Sequence, residues 1–326
     1  MNHKERMHHV IRREATDRIP VAFWRHFPVD DQDPFRLAIS TIDFQNIFDF
    51  DFVKISPSSS FCLKDWGAHD EWCGNPEGTR EYINPVITQA SDWSKIKELN
   101  PHKGYLNDQL TCIKLIKQGL PSDTPIIQTV FSPLSQAKNL VGKKHILNHM
   151  RSYPEEILAG LKIITKSTIN FIEACSLLGL DGIFFAEQFA TFDYLSSREF
   201  EIFGTNFDKQ IFPALKQFWL NVLHIHGLHI MFDELIDFPM QVFNWHDQET
   251  EPSLKTGCKL LPSAVCGGLS INSLVYGNPE SIKKMILKSF SNTESNGFIL
   301  GSGCVLPMIT PHGNIKSAVD FIRSYT

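Results

Sequence analysis

The sequence predicts an α/β protein built as a single (β/α)8 TIM barrel, and three observations point there. Eight short apolar runs recur along the 326 residues, near positions 22, 53, 128, 184, 223, 243, 266 and 299. They are continuously apolar, as strands buried on both faces of a parallel sheet are, and each leads into helical sequence. No GxGxxG follows the first run, which lowers the competing open, doubly wound sheet.

The elements follow in order. Residues 3–14 read as a polar helix, ended by Thr16-Asp17-Arg18-Ile19-Pro20, and Val21-Ala22-Phe23-Trp24 is the first strand. A helix over 33–48 precedes the strand Asp51-Phe52-Val53-Lys54-Ile55. Residues 57–105, rich in Pro, Ser, Gly, Asp and Trp, are an insertion with a hairpin near Glu81-Tyr82-Ile83. So long a segment after a barrel strand is expected to act as a lid or wall. Helix 106–118 leads to Ile126-Ile127-Gln128-Thr129-Val130, and helices over 134–150 and 154–178 follow, the second opening on Pro154-Glu155-Glu156. Gly182-Ile183-Phe184-Phe185-Ala186 precedes helices through 197–219. The run 221–227, Gln241-Val242-Phe243-Asn244-Trp245 and Ala264-Val265-Cys266-Gly267-Gly268 are the next strands. Helix 279–292, the strand 297–301 and helix 313–324 close a single domain spanning 1–326.

Composition excludes several classes. With 42% hydrophobic residues and 25 phenylalanines, the chain can fill a sizeable core. Acidic residues number 36 and basic ones 31, a net charge of −5, which argues against a nucleic-acid partner. No apolar run reaches the roughly 18–20 residues of a membrane helix, and no apolar signal core follows the start, so neither membrane association nor export is expected. Seven scattered cysteines without a CxxC pair read as thiols in a cytoplasmic protein.

Barrel enzymes work where their strands end. The strand ends here offer Arg25 and His26, Lys54 with Ser56, Ser132, Glu187, His224 and His226, His246, and Cys304. His224 and His226 are two apart on a strand, so both imidazoles share one face. Such a pair is half of a zinc site, and Cys304, past the last strand, could complete it. The competing account is that the histidines bond loop carbonyls and Cys304 is a packed thiol; spacing alone favours that account.

An ordered series of segments resembles the uroporphyrinogen decarboxylase superfamily over most of the chain. It comprises Asp17-Arg18-Ile19-Pro20-Val21, Val222-Leu223-His224-Ile225-His226-Gly227, Phe243-Asn244-Trp245-His246-Asp247, Gly267-Gly268-Leu269, Gly303-Cys304-Val305-Leu306-Pro307 and Thr310-Pro311-His312-Gly313-Asn314-Ile315. The resemblance implies a (β/α)8 barrel and one of two chemistries. Decarboxylases of the superfamily, in tetrapyrrole biosynthesis, use neither metal nor cofactor. Its methyltransferases hold zinc through a His-any-Cys pair and a distant Cys, and activate a thiol that accepts a methyl group, often from a corrinoid.

The chain departs from the decarboxylase pattern where that family carries Gln-Ala-Gly-Arg-Tyr, a key Asp and Gly-His-Gly. Here these places read Trp24-Arg25-His26, Ser56-Pro57-Ser58 and Gly301-Ser302-Gly303. The methyltransferase pattern fits at His224 and Cys304, with His226 in place of the expected Cys. The expectation is therefore zinc-assisted methyl transfer to a thiol. His224, His226 and Cys304 would be the metal ligands, Glu187 and His246 catalytic, and Arg25, His26 and Lys54 substrate-binding. Partners would be a small-molecule substrate and a corrinoid protein, with a homodimer left open. The alternatives are uroporphyrinogen decarboxylation, without a cofactor, and a non-catalytic ligand-binding barrel.

Overall fold

A computed structural model describes residues 1–325. Seven parallel strands form one sheet: β1 (Val53–Ile55), β4 (Ile126–Phe131), β5 (Gly182–Glu187), β6 (Val222–Ile225), β7 (Val242–Trp245), β8 (Ala264–Leu269) and β9 (Phe298–Ser302), paired in that order. Two short antiparallel strands in the insertion, β2 (His69–Glu71) and β3 (Glu81–Asn84), make a separate hairpin, as the sequence around Tyr82 predicts. Every residue of the seven strands is buried, which explains their unbroken apolar character.

The predicted first strand is the exception. Val21 makes one parallel bridge to Leu300 of β9 and no ladder. Ala22 N–H donates to Leu300 O, Leu300 N–H donates to Pro20 O, and on the other side Asp51 N–H donates to Val21 O. The segment thus lies between β9 and the approach to β1, but its donors are spent elsewhere. Pro20 has no N–H, and that of Val21 goes to the Asp51 carboxylate at 2.8 Å. The eight strands expected from the sequence are seven strands and a bridge.

Helices cover the sheet much as predicted, with local breaks. Pro34–Phe48 is capped by Asp33, whose side chain accepts from Phe35 N and Arg36 N. The helix expected over 134–150 is two, Pro133–Val141 and Ile146–Ser152, because Gly142 takes φ +89° between them. The stretch from Ser197 to Leu215 contains a π-helical turn, Glu201–Thr205. Short helices Leu254–Leu260 and Ile271–Tyr276 were not anticipated. Among the described residues, no helix is long and apolar enough to cross a membrane.

The lower end of the sheet is locked by Asp51, just before β1. Its carboxylate accepts from His3, Arg6, both terminal nitrogens of Arg18, and Val21 N–H, at 2.6–3.0 Å. Arg6 also grips Asp17. The Asp17-Arg18 segment is thereby structural.

Candidate active site

At the upper ends of the strands, three imidazoles and a thiol converge. His224 lies within β6, and its ring stacks on Phe184 of β5, centroids 5.3 Å apart. His226 follows the strand end. Its backbone N–H still donates to Glu187 O at 2.9 Å, which extends the β5–β6 register and keeps both imidazoles on one face. Cys304 follows β9, on a turn fixed by Ser302 Oγ donating to Cys304 O. Gly303 lets this turn lie against the end of β7. A Cβ there would come within 2.7 Å of His246 Cα and 2.9 Å of Trp245 O.

The Cys304 sulfur is 3.7 Å from His224 Nε2 and 3.6 Å from His226 Nδ1. His246 Nε2 is 3.4 Å from His226 Nδ1. One ligand atom from each of the four residues lies within 4.8 Å of the others. The separations of 3.4–3.7 Å are close to those of donors in a tetrahedral site with metal–nitrogen bonds near ~2.0 Å and metal–sulfur near ~2.3 Å, and the cluster as a whole is somewhat looser.

Neighbouring groups set the tautomers. Asn244 donates both amide hydrogens, to Cys266 O and Ser302 O. Its Oδ1 is therefore the atom facing His224 Nδ1 at 2.6 Å, so that nitrogen carries the proton. The bare Nε2 of His224 is left aimed at the sulfur. His246 Nδ1 donates to Glu249 Oε2 at 2.9 Å, so in the neutral ring Nε2 is the nitrogen without a proton.

Burial holds His224 neutral, pushing its pKa well below the usual histidine value, and the neighbouring His226 and His246 add to this. Burial likewise takes His226 down to about 3. Burial pushes the Cys304 thiol up to about 12. Neutral imidazoles are ready ligands, whereas the thiol needs a cation to lose its proton near neutrality.

His224, His226 and Cys304 border a cavity of about 190 Å³ that also meets His26 and Lys54. Lys54 is buried, with its ammonium 4.7 Å from the Phe184 ring centre and donating to Ser56 Oγ. Burial lowers its pKa to about 7, opposed by Cys304. His26 is brought down to about 3, chiefly by burial and further by Lys54. One wall, Glu77 to Arg80, comes from the insertion.

Two expected site residues lie elsewhere, for one reason. Trp24 and His26 face the cavity, so Arg25 between them turns away; its guanidinium packs over Phe27 and makes one long bond to His26 O. Phe184, Ala186 and Gln188 face the cavity, so Glu187 points out behind β5, toward Ser135 and Phe189 N–H. Neither borders the cavity, and Glu187 is no member of the four-residue cluster. His246 joins the cluster without bordering the cavity. Asn244, which orients His224, was missed, although its place two residues before His246 gives it the same inward parity.

Comparison with known proteins places the chain in a family. The family model described as uroporphyrinogen decarboxylase (URO-D) matches residues 31–325. Methylcobamide:CoM methyltransferase MtbA of Methanosarcina mazei is 23% identical, over 99% of this chain and 98% of its own length. Its namesake from Methanosarcina acetivorans is 21% identical over the same shares. Among solved structures, a methyltransferase from Methanosarcina mazei superposes with a TM-score of 0.86 at 18% identity, covering 100% of this chain and 99% of that one. A B12-independent methionine synthase from a Shewanella species gives 0.60 at 9% identity, over 94% and 98%.

Proposed function

Because the chain belongs to the uroporphyrinogen decarboxylase family, and is thus a methyltransferase-like or decarboxylase-like enzyme of that superfamily, we propose that it transfers a methyl group to a thiol with the help of zinc. The observation that carries this reading is the convergence of His224, His226, His246 and Cys304 with bare nitrogens turned inward. In this reading the barrel is closed by the bridged segment at Val21. His224, His226 and Cys304 would hold the metal, which would supply positive charge to lower the pKa of a bound thiol. His246, held by Glu249 and with its Nε2 against His226 Nδ1, would relay the departing thiol proton from behind the ligands rather than from the cavity. Lys54, the buried cation of the cavity, holds an anionic group on the acceptor. Residues 77–80 screen the cavity from water as part of a lid.

The relatives' names support a methylcobamide as donor and CoM as acceptor; a corrinoid protein as the donor's carrier belongs to the same proposal. Decarboxylation of uroporphyrinogen fits less well. A tetrapyrrole with eight carboxylates would need an array of cations, and Lys54 and Arg80 are those that border the cavity.

Metal analysis of the purified protein, with an assay of methyl transfer from a methylcobamide to CoM, tests the proposal. One zinc per chain and transfer that chelation abolishes and zinc restores are expected. Transfer that persists in a metal-free protein would refute the metal's role. Zinc at full occupancy without transfer from any methylcobamide would refute the donor.

A further inference from the structure

The cavity in front of the histidine–cysteine cluster holds one buried charge that nothing in the chain balances. Lys54, in β1, is 8% exposed and borders the cavity. Its ammonium gives one hydrogen to Ser56 Oγ, at 3.1 Å, and rests over the Phe184 ring. Among the described residues no carboxylate forms an ion pair with it; the acids of the insertion go to Lys64 and Arg80 instead. A buried ammonium without a counterion is costly, and two of its hydrogens still lack an acceptor.

A second cation reaches the same cavity from the insertion. Arg80 borders it, with its side chain 11% exposed. Nε donates to Asp70 Oδ1 at 3.0 Å, and Nη2 donates to Asp70 O at 3.3 Å. Nη1 stops 3.7 Å from Asp31 Oδ1, outside hydrogen-bond reach. Asp70 thus fixes the plane of the guanidinium and leaves one end of the fork with free N–H groups. His26 is the third polar neighbour, a neutral ring whose buried Nδ1 has no partner.

Counting charges decides what these donors suit. Arg80 and Lys64 are matched by Asp70 and Asp31, two cations against two acids. Lys54 is left with one positive charge. Glu77, half-exposed in the same wall, pairs with no cation among the described residues and disfavours a second negative charge nearby. One monoanion balances Lys54, whereas a dianion would bring a charge in excess. Phe184 touches both ends of the cavity, its ring centre 4.7 Å from Lys54 Nζ and 5.3 Å from the centre of the His224 ring. An anion on Lys54 is therefore joined to the cluster by a short apolar link along that ring.

We propose that Lys54 and Arg80 form a subsite for a single monoanionic oxyacid group, a sulfonate or a carboxylate, and that the cavity selects ligands by that one charge. Lys54 supplies the charge and two N–H bonds, and Nη1 of Arg80 supplies direction. Arg80 makes the insertion a specificity element and not only a cover. What the ligand's other end does at the cluster rests on the methyl-transfer reading; the subsite itself does not.

The test is isothermal titration calorimetry of the full-length protein, as purified, with methanesulfonate, acetate and sulfate. None carries a thiol, so the result stands whether or not methyl transfer is ever observed. Methanesulfonate and sulfate match in shape and differ in charge. Methanesulfonate or acetate should bind, the tighter of the two naming the oxyacid, and sulfate should bind at least about 5-fold more weakly. Lys54→Met should lose at least about 10-fold in affinity for that monoanion. Free of ligand it should be no less stable than the wild type, because an unbalanced charge is gone. Arg80→Gln should lose about 3–10-fold. If it fails to fold, Arg80→Lys, which keeps the charge without the fork, takes its place. Cys304→Ser should bind the monoanion as the wild type does. Undiminished binding in Lys54→Met would overturn the inference, as would sulfate binding as tightly as methanesulfonate, or neither monoanion binding. Loss confined to Cys304→Ser would place the anion on the metal cluster and overturn it equally.

Discussion

Two buried polar clusters sit at opposite ends of the same sheet, and they are built on opposite plans. At the lower end Asp51 is saturated with donors from His3, Arg6, Arg18 and Val21. At the upper end His224, His226, His246 and Cys304 turn lone pairs toward one another, and few hydrogens lie among them. A cluster whose polar groups satisfy each other stabilises the fold. A cluster whose groups share one unmet need is prepared for something that is not part of the chain.

The sharpest way to break this contrast is to remove one member from each cluster. Cys304→Ser should weaken zinc binding on the order of 100-fold or more, since loss of a ligand exceeds the effect of losing an outer partner. Stability of the metal-free protein should change by less than about 1 kcal/mol, the sulfur being replaced by a group of similar size. Equilibrium dialysis and urea unfolding read the two quantities. A large loss of metal-free stability would mean that the upper cluster is structural after all.

Asp51→Ala should do the reverse. It leaves two guanidiniums and the Val21 N–H without their partner, which costs about 3–5 kcal/mol, while zinc content per folded chain stays unchanged. The same carboxylate gives a pH test. Its donors hold Asp51 at about 2 despite burial, below the usual carboxylate value. A depressed pKa stabilises the fold above the unfolded value and loses that contribution as pH falls through about 2. His3 has the opposite sign. Both its nitrogens face carboxylates, of Asp51 and Asp49, and its pKa is raised, chiefly by the bond to Asp51. Its contribution is full below the unfolded histidine value and fades as pH rises through the folded one. His3→Phe should therefore flatten the stability profile on the alkaline side of pH 6.5 and leave the acid limb in place.

A smaller effect should follow from Asn244→Ala. Asn244 touches no metal position directly, but its oxygen fixes the tautomer of His224. Removing it frees Nδ1, and zinc affinity should fall about 10–100-fold, less than for Cys304→Ser. Equal losses in the two variants would mean that Asn244 acts by holding β7, β8 and β9 together rather than through the imidazole.

Much of this was legible in the sequence, because it rests on periodicity. Seven of the eight apolar runs are strands, and the period of two placed His224 and His226 on one face. The same period, had it been applied to Arg25 beside His26 and to Glu187 between Ala186 and Gln188, would have turned both away from the cavity. Proximity to a strand end alone did not distinguish the two sides. What one sequence does not encode visibly is long-range competition for donors. Asp51 takes the Val21 N–H and leaves a bridge where a strand was expected. Nor does the composition of residues 57–105 reveal that Glu77 to Arg80, rather than its tryptophans, reach the cavity. Trp93 instead donates to His149 and Trp66 to Lys97 O.

The smallest expected effect concerns that wall, and two glycines in the same hairpin loop allow a matched comparison. Gly74 and Gly78 both hold positive φ, +81° and +77°, which L side chains rarely adopt. An alanine at either should cost about 1–2 kcal/mol through the backbone alone. Their surroundings differ. A Cβ at Gly74 meets nothing within 4 Å, whereas one at Gly78 would lie 2.9 Å from His26 Cβ and 3.2 Å from Pro28 Cδ. Gly78→Ala must therefore shift the wall away from His26, and Gly74→Ala need not. If residues 77–80 shape the substrate's enclosure, Gly78→Ala should raise KM for the thiol several-fold, with zinc content unchanged. Gly74→Ala should share the stability loss and leave KM alone. Steady-state kinetics on the two variants, with urea unfolding as the common reference, measures the difference. Identical KM values would reduce the insertion to a structural cover over β1, because the contact with His26 would then have no consequence for the ligand.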